Sequence, residues 1–221
     1  MQSNFSVTEE NYIKAIYHLQ QATGSVTTNE LSARLVTTPA SVTDMLKKLK
    51  AKNLLCYEPY KVFYLNADGN KIALDIIRRH RLWEYFLVEK LAFGWNEVHE
   101  VAEELEHVGN KKLIDKLDLF LDFPKFDPHG DPIPDSNGNM SIVEQVSLAD
   151  LQAGKPAQVT SVSNQSTELL ELLGHKHIKI GAKLEVLARF GFDNSLEVKI
   201  KDQQPVNISE QLAKVLFVKI L

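Results

Sequence analysis

The segment HEVAEELEH (99–107) sets His99, Glu103, Glu106 and His107 at i, i+4, i+7 and i+8. On a helix that spacing turns all four side chains to one face. Imidazole nitrogens and carboxylate oxygens converging there are suitable ligands for Mn2+, Fe2+ or Zn2+. His80 and Glu84 repeat the i, i+4 spacing in RRHRLWE (78–84), and two such helices packed antiparallel would gather six ligands. The competing reading is that Glu and His merely decorate solvated helix faces. Hydrolytic chemistry is unsupported. A zincin needs His-Glu-x-x-His, and the place of its second histidine is taken by Glu103. No glycine-rich phosphate loop, nucleophile elbow or Cys/His pair stands out, so the residues favour a non-enzymatic, metal-holding role.

A second constellation lies between Thr38 and Lys52. Thr38, Pro39, Ala40, Ser41, Thr43 and Asp44 fall on the first turns of an expected helix, where a recognition helix meets base edges. Lys47, Lys48 and Lys52 follow at positions suited to phosphates, and Lys61 sits at the tip of an expected hairpin. Between Val26 and Tyr64 there are six basic residues and three acidic ones, although the whole chain has a net charge of −4. That local bias points to double-stranded DNA as partner; a protein-interaction module with solvated lysines is the bland alternative.

The elements that position these residues can be read from caps and periodicity. Ser6-x-x-Glu9 is a capping box that opens a helix carrying Ile13, Ile16, Tyr17 and Leu19 as far as Gly24. Thr27-x-x-Glu30 opens a short second helix through Leu31 and Leu35. Thr38 caps a third, with Pro39 at its first position and Val42, Met45, Leu46 and Leu49 as its core face. Two β-prone segments follow, Leu54–Glu58 and Val62–Leu65, joined through Pro59-Tyr60-Lys61. Helix, turn, helix and hairpin make a winged helix-turn-helix. Helices then continue from Asn66 to about Leu121, the first reaching Leu91, the second opening at Trp95-Asn96 and the third near Asn110. Residues 123–139 hold four prolines and two glycines and cannot be helical. Beyond Ser147, β-like runs at Gln158–Val162, Lys183–Phe190, Ser195–Ile200 and Leu216–Ile220, with one helical stretch at Thr167–Leu173, suggest a small β-barrel. The expected fold is mainly α with a small β domain, divided at 1–68, 69–147 and 148–221.

With 221 residues, 44% apolar and 24% charged, the chain has the composition of an ordinary globular protein and not of a disordered or fibrous one. No apolar run approaches the ~20 residues of a membrane span. The first residues lack a basic start and apolar stretch, and a single cysteine, Cys56, cannot form an internal disulfide. These features lead us to expect a cytoplasmic protein without a membrane partner.

TEENYIKAIYHL (8–19), TTPASVTDMLKKL (37–49), RRHRLWE, EVHEVAEELEHV (97–108) and DPHGDPIP (127–134) together resemble the diphtheria-toxin-repressor family of metal-activated bacterial transcription factors, which includes iron-dependent repressors and manganese transport regulators. The resemblance runs over the whole chain and implies a winged helix, a helical dimerisation domain and a C-terminal FeoA-like barrel. It implies a homodimer on a palindromic operator controlling metal-homeostasis genes, with metal as co-repressor. The family's primary metal site falls on Asn11, Glu103, Glu106 and His107. Its ancillary site falls on His80, Glu84 and His99, completed from the barrel by Gln165 and Glu168. In manganese-type members the histidine matching His80 joins the principal cluster, so the resemblance leaves His80 between the two. Asn11 stands where iron-type members carry methionine and manganese-type ones aspartate. Glu103 replaces the cysteine of iron-type members, and a carboxylate in place of a thiolate leans toward Mn2+, with Fe2+ as the alternative and Zn2+ an in vitro substitute. Lys14 takes the place of a further glutamate found in some manganese-type members. A cytosolic metal buffer or metallochaperone is the rival from another class; it explains the His/Glu face but leaves the 38–52 helix without a purpose.

Overall fold

The computed structural model describes residues 5–57, 61–163, 165–201 and 203–221. Glu58 and the expected Pro59-Tyr60 turn lie outside the described residues. Packing divides the chain into two compact units. The first comprises Met1–Trp83, Ala102–Phe123 and Pro134–Met140; the second comprises Glu84–Val101, Pro124–Ile133 and Ser141–Leu221.

In the first unit α1 spans Val7–Thr23, α2 Thr28–Arg34 and α3 Pro39–Ala51. Both expected capping boxes are present: Ser6 with Glu9, and Thr27 with Glu30. Gly24 ends α1 at φ 80°, the left-handed conformation in which glycine has no Cβ penalty. Strands β1 (Leu55–Cys56) and β2 (Tyr64–Leu65) pair antiparallel, with Leu55 opposite Leu65, and Val26 bridges to Phe63 beside them. Tyr12, Ile13 and Ile16 of α1, Leu31 of α2, Val42, Leu46 and Leu49 of α3 and Phe63 of the hairpin share one core. Each such side chain, once buried, contributes about 1.5–3 kcal/mol before entropy is charged against it. That core fixes α3 with its opposite, polar face outward. Helix α4 runs from Ala67 to Leu91, α5 from Val98 to Leu105 and α6 from Lys111 to Phe120. Asn110 caps α6 by accepting from the Leu113 amide at 3.1 Å.

Helix α5 is shorter than the HEVAEELEH spacing suggests. It ends at Leu105, and Glu106 and His107 follow in a turn, where the Glu106 amide still donates to Ala102 at 2.9 Å. The four candidate ligands therefore do not share one regular helix.

The second unit holds a six-stranded antiparallel sheet in the order β3-β8-β4-β5-β6-β7. Its strands are Val146–Ser147, Pro156–Val162, Lys183–Arg189, Leu196–Ile200, Val206–Ile208 and Leu216–Ile220, for β3 to β8 in turn. This antiparallel sheet is the small β domain expected after Ser147. Helix α7 (Thr167–His175) packs Leu170 and Leu173 into its core. Sequence reading missed α8 (Glu210–Val215) and β7, six and three residues long, which are too short for periodicity to reveal.

Candidate functional site

Three elements of the first unit bring ionisable groups together. From α1 come Glu10, Asn11 and Lys14; from α4 come Arg79 and His80; from the end of α5 and the following turn come Glu103, Glu106 and His107. Glu106 is fully buried and Glu10 is 2% exposed. Buried carboxylates are tolerable only when paired, and each of these is. The Arg79 guanidinium lies 3.0 Å from Glu10 Oε1 and also donates to the backbone carbonyl of Glu106. His107 Nδ1 is 2.6 Å from Glu10 Oε2. Lys14 Nζ is 2.6 Å from Glu103 and 2.7 Å from Glu106. His80 Nδ1 is 2.7 Å from Glu106 and 3.9 Å from Glu103. His80 thus stands with Glu103 and Glu106.

Asn11 lies one turn before Lys14 on the same face of α1. Its Oδ1 is buried and has no hydrogen-bond partner among the described residues. Leaving such an oxygen unsatisfied costs about 1–3 kcal/mol, an expense that a cation ligated by the amide would remove. Two hard carboxylates, an amide oxygen and imidazole nitrogens form a donor set that fits a divalent transition metal. Sequence reading passed over Glu10 and Arg79, because an acid in a helix's first turn reads as a capping or dipole residue.

The second unit holds a second cluster. Glu84, Asp127 and His129 are all buried, and one ligand atom of each falls within 4.8 Å of the others. His99 Nδ1 is 3.2 Å from Glu84 Oε1. His129 Nε2 hydrogen-bonds the Trp95 carbonyl at 2.8 Å, with its ring stacked on Trp95 at 6.0 Å, while Nδ1 faces Glu84 at 3.8 Å. Burial opposes protonation of His129, but the nearby Glu84 and Asp127 carboxylates and the Trp95 carbonyl outweigh it and raise its pKa. The loop is held by its own backbone. Asp127 Oδ1 accepts from the amides of His129 (2.8 Å) and Asp131 (3.0 Å), and the His129 carbonyl accepts from Val162 of β4 (3.2 Å). Gly130 has φ +88°, and a Cβ there would come within 1.8 Å of the Thr160 carbonyl oxygen, so only glycine fits. Gln165 donates to Asp131 Oδ2 at 3.1 Å. Glu168 stands exposed in the first turn of α7 and is not among the side chains gathered here. Sequence reading did not single out Asp127 and His129 as candidates, because they sit in a Pro/Gly-rich stretch with no periodic signal.

Helix α3 presents the second kind of surface. Thr38, Pro39, Ala40, Ser41, Asp44, Lys47 and Lys48 are exposed, as is Lys61 of the wing. Thr38 Oγ1 caps the Ser41 amide at 3.2 Å, and the Thr43 hydroxyl, half-buried, donates to the Pro39 carbonyl at 2.9 Å. Lys47 pairs with Asp44 at 3.0 Å. Lys52 is turned away from this row, toward Glu9 at 2.7 Å and the ring of Phe5.

Known proteins align with this arrangement along most of its length. The profile of the iron dependent repressor N-terminal DNA binding domain matches residues 4–62. That of the iron dependent repressor metal binding and dimerisation domain matches 66–135, and that of the FeoA domain matches 146–220. The iron-dependent repressor IdeR of Mycobacterium leprae is 28% identical over 168 residues, 73% of this chain and 72% of its own. The HTH-type transcriptional regulator MntR of Oceanobacillus iheyensis is 32% identical over 118 residues, 53% of this chain and 80% of its own. A solved manganese-dependent transcriptional repressor in complex with manganese superposes with a TM-score of 0.86 at 30% identity, over 96% of this chain and 100% of that one.

Proposed function

This chain belongs to the diphtheria-toxin-repressor family of metal-dependent transcriptional regulators, and we propose that it is a manganese-responsive repressor of metal-homeostasis genes. Its DNA-binding part is residues 1–68, its metal-binding and dimerisation part 69–147 and its FeoA-like part 148–221. It acts in the cytoplasm as a homodimer on a palindromic operator and catalyses no reaction. No helix among the described residues is long and apolar enough to cross a membrane.

The observation that carries this reading is the buried, unpartnered Oδ1 of Asn11, on the face of α1 whose Lys14 meets Glu103 and Glu106. Asn11, Glu103, Glu106 and His107, with His80 beside them, would hold the principal ion. Glu84, His99, Asp127 and His129 would hold a second, with Gln165 steadying the loop through Asp131. A bound divalent cation supplies coordinate bonds linking donors that the chain otherwise joins only through side-chain pairs. The residues themselves do the rest. Arg79 and Glu10 hold α1 against the turn after α5, and His107 is oriented by Glu10. The exposed first turns of α3, with Thr38, Pro39, Ala40, Ser41, Thr43 and Asp44, would read base edges, while Lys47, Lys48 and Lys61 meet phosphates. Two copies related by a two-fold axis would present two such helices to successive major grooves. Metal and operator affinity are then coupled reciprocally, typically by 5–150-fold.

The carboxylate of Glu103 favours Mn2+ over Fe2+, and the likeness to a manganese-dependent repressor of known structure supports the same choice. Selection from a random duplex pool tests the reading with Mn2+, anaerobic Fe2+, Zn2+ or a chelator present. A palindrome should be enriched with metal only, and most strongly with Mn2+. Enrichment of the same sequence in chelator would remove the metal from the mechanism, and a clear preference for Fe2+ would replace the ion.

A further inference from the structure

Lys14 reaches from α1 to the two carboxylates on which the proposed principal site depends. Its ammonium is 2.6 Å from Glu103 Oε1 and 2.7 Å from the Glu106 carboxylate, and its side chain is 14% exposed. An ammonium has three N–H donors and no lone pair, so it cannot enter a metal's coordination shell. Its positive charge beside the pair raises the free energy of any second cation placed there. It also offsets the repulsion that two neighbouring carboxylates would otherwise suffer, one of them fully buried. The four-methylene stem allows the head group to leave for solvent without movement of α1.

We propose that Lys14 is a tethered cation that competes with the divalent metal for Glu103 and Glu106, and thereby raises the metal concentration at which the site fills. The inference rests on the reading of Glu103 and Glu106 as ligands given above. Charge neutralisation by Lys14 lets the site fold without metal, and release of its ammonium accompanies metal entry.

The test uses the full chain and Mn2+ alone, with affinity read by competition against a fluorescent chelator. Lys14→Met keeps the apolar stem and removes the charge. It is expected to bind Mn2+ at least about fivefold tighter, at the lower end of usual coupling between sites, while Lys14→Arg stays near wild type. In the wild-type chain, acylation of the Lys14 amine followed by mass spectrometry is expected to rise when Mn2+ is added, with Lys48 as an unaffected exposed reference. That second readout also serves if Lys14→Met fails to fold. Unchanged or weaker Mn2+ binding in Lys14→Met, or equal acylation of Lys14 with and without Mn2+, would overturn the competition. Glu106→Gln separates the layers. If it loses tight Mn2+ binding, the ligand assignment stands whatever Lys14 does; if it binds as wild type, the assignment falls and the competition falls with it.

Discussion

Glu10 Oε2 lies 2.6 Å from Nδ1 of His107, while the other oxygen of the same carboxylate is 3.0 Å from Arg79. One buried acid on α1 therefore fixes an imidazole on another element. Accepting from Nδ1–H commits the ring to the tautomer whose Nε2 carries the lone pair, and Nε2 is the nitrogen 3.8 Å from Glu106. Carboxylate–histidine–metal triads have this form, in which the outer partner fixes the ring and raises its basicity as a ligand.

Glu10→Gln should therefore weaken Mn2+ binding about 10–100-fold although Glu10 is not itself proposed as a ligand. Chelator competition measures it, with circular dichroism confirming an intact fold. Affinity within a factor of two of wild type would contradict the role given to Glu10. Arg79→Met, which leaves Glu10 buried and without its guanidinium, should cost about 3–5 kcal/mol of stability in denaturant titration.

Lys47 and Lys48 are exposed on the outer face of α3. Replacing either with alanine should weaken operator and non-operator duplexes alike and lower the slope of log affinity against log salt by about 1. Ser41→Ala should instead alter which sequences are preferred. A salt slope unchanged by both lysine variants would place the phosphate contacts elsewhere.

The Glu84–Asp127–His129 cluster predicts a second ion. Asp127→Ala combined with His129→Ala should remove one bound Mn2+ per chain in equilibrium dialysis and raise the Mn2+ needed for duplex binding without abolishing it. Glu168→Ala, at an exposed position, should change neither. Loss of an ion on removing Glu168 would return that residue to the site.

Leu119 and Phe120 of α6 are 54% and 64% exposed, with Leu113 and Phe123 exposed nearby. An apolar face of this kind on a folded domain marks an interaction surface, and the proposed dimer is what would cover it. Leu119→Asp with Phe120→Asp should sediment with the mass of one chain where the wild type has that of two. An unchanged dimer would place the interface on another face.

What the sequence disclosed, it disclosed through local signals. The capping boxes at Ser6 and Thr27 and the Thr38-Pro39 start lie within one turn of what they control, and the partners of the two boxes were legible three residues away. The acid and histidine spacing of 99–107 was legible too, but the end of α5 at Leu105 was not, because no glycine or proline follows it directly. Asp127 and His129 were invisible as candidates for a different reason. They meet Glu84 across more than forty residues of sequence, and the adjoining Gly130 packs against the Thr160 carbonyl, tertiary contacts that no local pattern announces. Lys52 shows the same limit, since its lysine row gave no sign that Glu9 would claim it.

In the mechanism proposed above, metal held by Glu106 and His107 governs DNA affinity. It is tested most directly by titrating Mn2+ into protein and a selected palindromic duplex, using wild type, Glu106→Gln and His107→Ala at one salt concentration. Wild-type binding should rise about 5–150-fold with Mn2+ and return to its starting level in chelator, while both variants stay at the chelator level and remain dimeric. Variants that bind the duplex as strongly as wild type, and only when Mn2+ is present, would contradict it.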